Sequence, residues 1–313
     1  MMFSVAMTAA SDDNNRRLDR ILRKALGKMA LSEIYLLLRK GLVLVDGKRG
    51  APSDRIKAGS VITIPQEAVL YRPEPSKPAS SSKAVLLAPY ILWEGSGLLI
   101  VNKPAGLGVH GPASLETMVL DYFAEKIPFS LSFKPGPLHR LDKPTSGIIV
   151  FSASLEGARY FSALLQDRRI KKQYLALTDG TITAPAAWTD FLRRDKNNAK
   201  TFVSDQTAGG AQAAETLITP LGTADSYSLV KVEIHTGRTH QIRSQAAFHG
   251  HPLAGDKKYG GSFQPKGFLL HAYTLEFPEN PMPSILRAPL PNRFREKILT
   301  LFGKNLLDTV TGS

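Results

Sequence analysis

Between residues 17 and 65 the apolar positions recur first at helical and then at strand spacing. Leu18, Ile21, Leu22 and Ala25 lie three and four apart, the spacing of one buried helix face. Ile34, Leu37 and Leu38 repeat it, with Ser32 placed to cap this second helix and Gly41 to end it. The period then changes. Leu42-Val43-Leu44-Val45 runs into Asp46-Gly47, a strand meeting a hairpin signal, and Val61-Ile62-Thr63-Ile64 reads as a closing strand stopped by Pro65.

The stretch Tyr71 to Lys83 has little to bury and reads as a linker. Beyond it, 88 to 127 reads strand, Gly-rich turn, helix. Gly147 to Ser152 is an apolar, β-branched strand, and Leu155 to Ile170 an amphipathic helix. Lys172 to Leu177 and Glu215 to Ile234 add strands. There is no regular strand–helix alternation, so the pattern predicts an α+β fold on a large, mostly antiparallel mixed sheet. The predicted organisation is a flexible N-terminus over 1–16, a small domain over 17–67, a linker over 68–87, a larger domain over 88–303 and a loose tail over 304–313.

Charge changes this picture. The chain of 313 residues carries a formal net charge of +13. Twelve Lys/Arg against four Asp/Glu between Arg16 and Gln66 put +8 of it in the small domain. A polyanionic partner suits that balance, because neutralising phosphates releases condensed counterions. There are no cysteines, which excludes disulfides, thiolate metal sites and thiol nucleophiles. The first fifteen residues lack the pattern of a signal peptide, and no apolar run is long enough to span a bilayer. A cytoplasmic protein is the expectation.

Two patterns invite other readings. Gly106-Leu107-Gly108-Val109-His110-Gly111 matches a dinucleotide fingerprint, but Lys103-Pro104 interrupts the passage from strand to turn and Pro112 follows it. We read it as a flexible loop and predict no nucleotide cofactor. His235, His240, His249, His251 and His271 lack a tight helical pair with an acidic partner, so no metal site is predicted. No G-x-S-x-G or Walker sequence occurs.

The informative segments are three. His139-Arg140-Leu141-Asp142-Lys143-Pro144-Thr145-Ser146-Gly147 places an Asp between cations at the mouth of a strand. On its own this equally describes a surface turn with a paired Asp. Lys171-Lys172-Gln173-Tyr174-Leu175-Ala176-Leu177 alternates, putting Lys172, Tyr174 and Ala176 on one face. A Tyr among lysines suits a base to stack on and phosphates to hold, and equally a sheet aromatic partly in the core. His235-Thr236-Gly237-Arg238-Thr239-His240-Gln241-Ile242-Arg243 ends a strand and opens a helix, followed by Gly250 to Asp256 and Tyr259-Gly260.

Together these resemble the RluA family of pseudouridine synthases. The family's H-R-L-D-x-x-T-S-G lies at 139–147, its K-x-Y-x-A at Lys172, Tyr174 and Ala176, and its T-G-R-T-H-Q-I-R at 236–243. G-H-P-x-x-G-D follows at 250–256. Asn102-Lys103-Pro104-Ala105-Gly106 and Val109-His110 resemble its opening motif. Ser244-Gln245 stands where the family usually has Val-His. Residues 17–67 resemble an S4-like RNA-binding domain, with Asp46 in place of the usual Asn and with Leu31 and Glu33 near where Arg is usual. The RsuA family, which shares that layout, has G-R-L-D without the K-P-T-S-G continuation.

The resemblance implies isomerisation of uridine in RNA without cofactor or metal. It makes Asp142 the nucleophile, by attack on the anomeric carbon or by a glycal route. Arg243 is its charge partner, and Tyr174 stacks on the uracil and helps remove the proton from carbon 5. Arg140 fills the space of the flipped nucleotide, and Ile242 forms an apolar wall. RNA contacts are expected from His139, Lys172, Arg238 and His240, and from Arg17, Lys40 and Lys48 in the small domain. The expected partner is 23S rRNA, met by a monomer. Transfer RNA as substrate, or a non-catalytic rRNA-binding assembly factor on a synthase scaffold, are the alternatives.

Overall fold

A computed structural model of the chain describes residues 4–71, 87–127, 129–195, 197–206, 209–264, 266–278 and 282–312. Most of the predicted linker, 72–86, lies outside the described residues. The chain divides into two compact units.

The first unit comprises Met1–Pro89, Glu116–Gly136 and Phe151–Tyr160. Its strands are β1 (Ser4–Thr8), β2 (Arg16–Arg17), β3 (Leu44–Val45), β4 (Lys48–Arg49), β5 (Arg55–Ile56) and β6 (Val61–Pro65), and its first helices are α1 (Leu18–Ala25) and α2 (Leu31–Arg39). The predicted apolar stripes do the packing. Leu18, Ile21, Leu22, Ile34, Leu38, Ile62 and Ile64 share one core. Asp46 and Gly47 both have positive φ, which lets a two-residue turn join β3 to β4. Gly41, at φ +69°, ends α2 as predicted. Helix α2 starts one residue before Ser32, however. Its first turn is closed by Glu33, whose side chain accepts from the amide of Ala30 at 3.1 Å.

The flexible N-terminus predicted over 1–16 is corrected. β1 pairs antiparallel with β6, and Met7 and Ala9 belong to the core. Asp13 is wholly buried and accepts from the Ser130 hydroxyl and from the amides of Leu131 and Ser132, each at 2.9 Å. The Ser132 hydroxyl donates to it as well. Asp12 accepts from the amide of Leu155 at 2.8 Å. Polar composition suggested solvent, but these two acids satisfy backbone donors that burial would otherwise leave unpaired.

The second unit comprises Tyr90–Leu115, Pro137–Val150 and Phe161–Ser313. The remaining strands are β7 (Ile91–Gly95), β8 (Leu98–Lys103), β9 (Gly136–Pro137), β10 (Ser146–Ser152), β11 (Lys171–Asp179), β12 (Ala186–Asp195), β13 (Lys200–Ser204), β14 (Gln212–Ala224), β15 (Tyr227–Ile234), β16 (Leu270–Glu276) and β17 (Ile285–Arg287). The other helices are α3 (Leu115–Phe123), α4 (Leu155–Gln166), α5 (Gln241–Phe248), α6 (Asn292–Phe302) and α7 (Lys304–Thr311). The sheet runs β13-β12-β14-β15-β11-β16-β10-β8-β7. β12, β14, β15, β11 and β16 pair antiparallel in turn, whereas β10 lies parallel to β16. The predicted α+β class and mixed, mostly antiparallel sheet agree with this. No helix among the described residues is long and apolar enough to cross a membrane.

The tail predicted over 304–313 is also corrected, because it forms α7. Leu307 is buried with Phe294 and Ile298 of α6 against Leu175, Leu177 and Leu229 of the sheet. The Tyr273 hydroxyl donates to the carbonyl of Val310 at 2.6 Å. The cluster thus takes Leu175 and Leu177, one face of β11, and leaves Lys172 and Tyr174 on the other.

One glycine is dictated by close approach. Gly147 has φ +106°, and a Cβ there would lie 2.2 Å from the carbonyl oxygen of Ala272. That contact brings β10 against β16 two residues after the 139–145 turn. Beside it Ser146 meets Nδ1 of buried His271 at 2.8 Å, and His271 Nε2 meets the Ala288 carbonyl at 3.2 Å. Burial draws the His271 pKa down to about 4, so its ring is neutral, donating from Nε2 and accepting at Nδ1. Ser146 and Gly147 thus lock the strand that follows Asp142.

Candidate active site

The three sequence segments meet in one cleft of the second unit. It measures about 580 Å³ and is lined by residues 138–142 and 234–243, with Lys172, Tyr174, Leu165 and Leu270 among the others. Asp142, Arg243, His240 and Arg140 also border an adjoining cavity of about 390 Å³, beside Lys143, His110 and Lys258.

Asp142 sits in a tight turn, its carbonyl accepting from the amide of Thr145 at 3.0 Å. Its Oδ2 receives Nη1 of Arg243 at 2.8 Å, and Nε2 of His240 lies 3.6 Å from the same oxygen. Among the described residues neither contact involves Oδ1. Arg243 projects from α5, a helix whose first six residues are buried. It also forks onto Asp256, with Nε to Oδ2 at 2.6 Å and Nη2 to Oδ1 at 2.9 Å. Its guanidinium lies between the rings of Tyr259 and Phe268, at 4.9 and 4.6 Å. Burial works against the charge on Arg243, but the bonds to Asp256 and Asp142 outweigh it and raise its pKa. The guanidinium is therefore a fixed cation, and it fixes Asp142.

Tyr174 is buried on β11, opposite Val232 of β15. The pairing with β16 shifts register between Gln173 and Tyr174, where Tyr273 of β16 is the extra residue. Burial first, and the charge of Asp142 second, push its phenol pKa up, so the hydroxyl stays protonated at neutral pH. Ile242 is buried and forms part of the cleft wall. Lys172 and Arg238 line the cleft too. Arg238 is exposed, although its Nε donates to the carbonyl of Ala213 at 3.1 Å.

His139 departs from expectation. Its Nε2 accepts from the amide of Val150 at 3.0 Å, and its ring stacks on Phe161. Burial, with a smaller effect of Lys172, draws its pKa down to about 4. A neutral ring whose Nε2 accepts from a backbone amide ties the 139–145 turn to β10. Arg17, Lys40 and Lys48 belong to the first unit. Lys40 and Lys48 are exposed, whereas Arg17 is paired with Asp19 at 2.7 Å.

Four residues had no role assigned from sequence. Lys103 is wholly buried, and its ammonium donates to the carbonyls of Pro104, Leu107 and Lys143 at 3.0, 2.8 and 3.1 Å. Gly106 donates to Lys143 as well, at 2.8 Å. The 104–111 loop, read as flexible, is therefore pinned to the residue after Asp142. Burial draws the Lys103 pKa down to about 8, with Asp142 opposing, so it is mainly charged at pH 7. Lys103, Asp256 and Tyr259 each stood inside a matched motif, which was the available signal. Phe268 stood in none. Gln245, at the departure from the usual Val-His, is wholly buried, accepting from Thr216 at 2.7 Å and donating to Asp190 at 2.7 Å. That departure is absorbed inside the fold.

Comparison with known proteins agrees with this geometry. The RNA pseudouridylate synthase family matches residues 97–248. The chain is 31% identical over 307 residues to ribosomal large subunit pseudouridine synthase C of Yersinia pestis, covering 94% of this chain and 95% of the relative. It is 32% identical to the Escherichia coli K12 protein of the same name, covering 82% and 79%. Among solved structures, human RNA pseudouridylate synthase domain containing 4 shares the fold with a TM-score of 0.58 and 24% identity, covering 69% of this chain and 95% of that one. The chain belongs to the RNA pseudouridylate synthase family, the family that its RluA-type motifs implied.

Proposed function

We propose that this RNA pseudouridine synthase converts specific uridines of 23S rRNA to pseudouridine, with Asp142 acting on a flipped-out nucleotide. The observation that carries the reading is the Asp142 carboxylate. One of its oxygens is held by Arg243 and the other takes no hydrogen bond among the described residues, in a cleft walled by Tyr174 and Ile242. In the reaction the bond from ribose C1′ to uracil N1 breaks, the base turns, and a bond from C1′ to C5 forms. The C5 proton leaves and N1 regains one, so atoms and electrons balance without an external reagent. Asp142 either adds to C1′ or assists a glycal route, and both need it ionised and aimed. Arg140 enters the space vacated by the flipped nucleotide. Arg140, Lys143 and Lys258, around the adjoining cavity, supply cations for its phosphates.

Tyr174 supports the uracil by stacking. Its raised pKa argues against a phenolate base, and for a ring that packs the base in place. Tyr174→Phe is therefore expected to keep kcat within about tenfold of wild type, while Tyr174→Ala loses about 1–3 kcal/mol more in kcat/KM. Tritium release from 5-labelled uridine measures both. Equal activities of the two variants would contradict a stacking role.

Residues 17–67 are assigned as an S4-like RNA-binding domain. Two helices, an Asp-Gly hairpin and exposed Lys40 and Lys48 support it. Because β1 and Asp13 are built into this unit's core, deleting the segment would damage the fold, and charge substitution is the better probe. In the doubly substituted Lys40→Gln, Lys48→Gln protein, the slope of log K against log salt is expected to fall by about 1.5 to 2. An unchanged slope means that these lysines do not meet phosphate.

The 23S assignment follows from the relatives' large-subunit names and the basic first unit. A protein acting on bacterial rRNA works in the cytoplasm, and one chain, acting as a monomer, carries the cleft residues named. Transcripts of 23S rRNA and of tRNAs, offered separately to the purified protein, decide the substrate. Tritium release from 23S RNA is the expected result, and release from tRNA alone would move the assignment.

A further inference from the structure

We propose that His240 is a positioning residue for Asp142, and that Tyr259 selects the tautomer in which it works. The inference rests on the reading of Asp142 as the reacting carboxylate. His240 stands at the start of α5 with φ +55°, a left-handed conformation that non-glycine residues rarely adopt. That backbone turn sets the ring between two groups. Nδ1 lies 2.9 Å from the Tyr259 hydroxyl, and Nε2 lies 3.6 Å from Oδ2 of Asp142. The side chain is only 15% exposed.

The tautomer follows from proton counting. The Tyr259 oxygen accepts from the buried amide of Thr201 at 2.9 Å. A phenol has one proton of its own, and it then points to His240 Nδ1. The carboxylate oxygen beside Nε2 can only accept, so a neutral ring carries its hydrogen on Nε2, facing Asp142, and Nδ1 accepts the phenol's proton. Arg243 already donates to that same Oδ2. In this proposal the Arg243 hydrogen bond and the Nε2–H of His240, which faces the same oxygen, restrain the rotation of the carboxylate and turn Oδ1 toward the ribose. At 3.6 Å the histidine contact is longer than a hydrogen bond, and the proposal requires the ring to close on the oxygen when substrate is bound.

The charges around His240 fit a neutral donor. Asp142 and Asp256 face it, as do Arg243 and Lys258, whose ammonium is tethered to the carbonyls of Asn198 and Ala199. Burial is the dominant effect and lowers the histidine's pKa, with Arg243 and Lys258 adding to it and Asp142 opposing. An RNA contact is the role expected of His240 from sequence. This ring is neutral and has both nitrogens directed into the protein.

The test compares His240→Ala, His240→Gln and Tyr259→Phe as full-length proteins on one RNA substrate, across pH. His240→Ala is expected to lower kcat about tenfold or more with KM within about twofold, as for the loss of a donor to a charged group. The pH profile of kcat should change as well, because the titratable ring beside the carboxylate is gone. His240→Gln, whose amide N–H reaches toward the same oxygen, should regain most of the rate. Tyr259→Phe keeps the ring beside Arg243 and should show an intermediate loss with an altered pH profile of kcat. The proposal is overturned by a loss confined to KM and its salt dependence, by a Tyr259→Phe profile identical to wild type, or by His240→Gln no better than His240→Ala. If His240→Ala does not fold, Tyr259→Phe and His240→Gln decide alone. A wild-type protein that forms no pseudouridine, or an Asp142→Asn protein that forms it normally, removes the reading of Asp142 and this proposal with it. Turnover that needs Asp142 but ignores His240 removes only this proposal.

Discussion

Replacing Asp142 by Asn is expected to abolish pseudouridine formation, lowering kcat by about four orders of magnitude or more, while RNA affinity stays within a few-fold of wild type. The change is nearly isosteric. Arg243 keeps its fork onto Asp256, so the site should hold its shape when the carboxylate goes. Arg140, Lys172 and Arg238 still line the cleft, where the proposal has them meet RNA. On the proposed mechanism, what is lost is the nucleophilic oxygen, and with it both routes by which the glycosidic bond is opened. Tritium release reads the chemistry and filter binding reads the affinity. Turnover within tenfold of wild type would remove Asp142 from the mechanism.

Arg243→Ala is the second large effect, and it reaches stability as well as rate. One guanidinium serves two carboxylates, Asp142 at 17% side-chain exposure and Asp256 at 2%. Removing it leaves a buried carboxylate with no cation, which costs about 3–5 kcal/mol. It also empties the space between Tyr259 and Phe268. The midpoint of urea unfolding should fall accordingly, and turnover should be lost with Asp142 no longer aimed. Arg243→Lys separates the two consequences. An ammonium supplies charge but cannot fork onto Asp256 while reaching Asp142, so more stability returns than activity. A Lys variant with wild-type kcat would mean that the fork is dispensable.

Much of this site was legible in the sequence because its parts are contiguous motifs with distinct residue types. Alternation in β11 placed Lys172 and Tyr174 on one face, and the structure puts that face in the cleft. The helices of the first unit were legible from their apolar stripes. Other features depend on partners far along the chain. Asp13 is an ordinary acid in a polar stretch until Ser130 and Ser132 come to it. The last helix reads as a tail because few apolar residues mark it, and Leu307 becomes core only against Phe294 and the sheet. His139 looked like an RNA contact beside Arg140, and only the fold shows its acceptor nitrogen taken by Val150. Lys103 could not be told from a solvent-facing lysine without the three carbonyls around it.

The central claim is that this chain makes pseudouridine in large-subunit rRNA through Asp142. Carbodiimide primer-extension mapping of rRNA and tRNA, from cells with the gene, without it, and complemented by the Asp142→Asn form, tests it most directly. The account predicts one or more stops in 23S rRNA that vanish with the gene and return only with the wild-type protein. Unchanged 23S rRNA stops in the deleted strain, or full restoration by the Asn form, would contradict it.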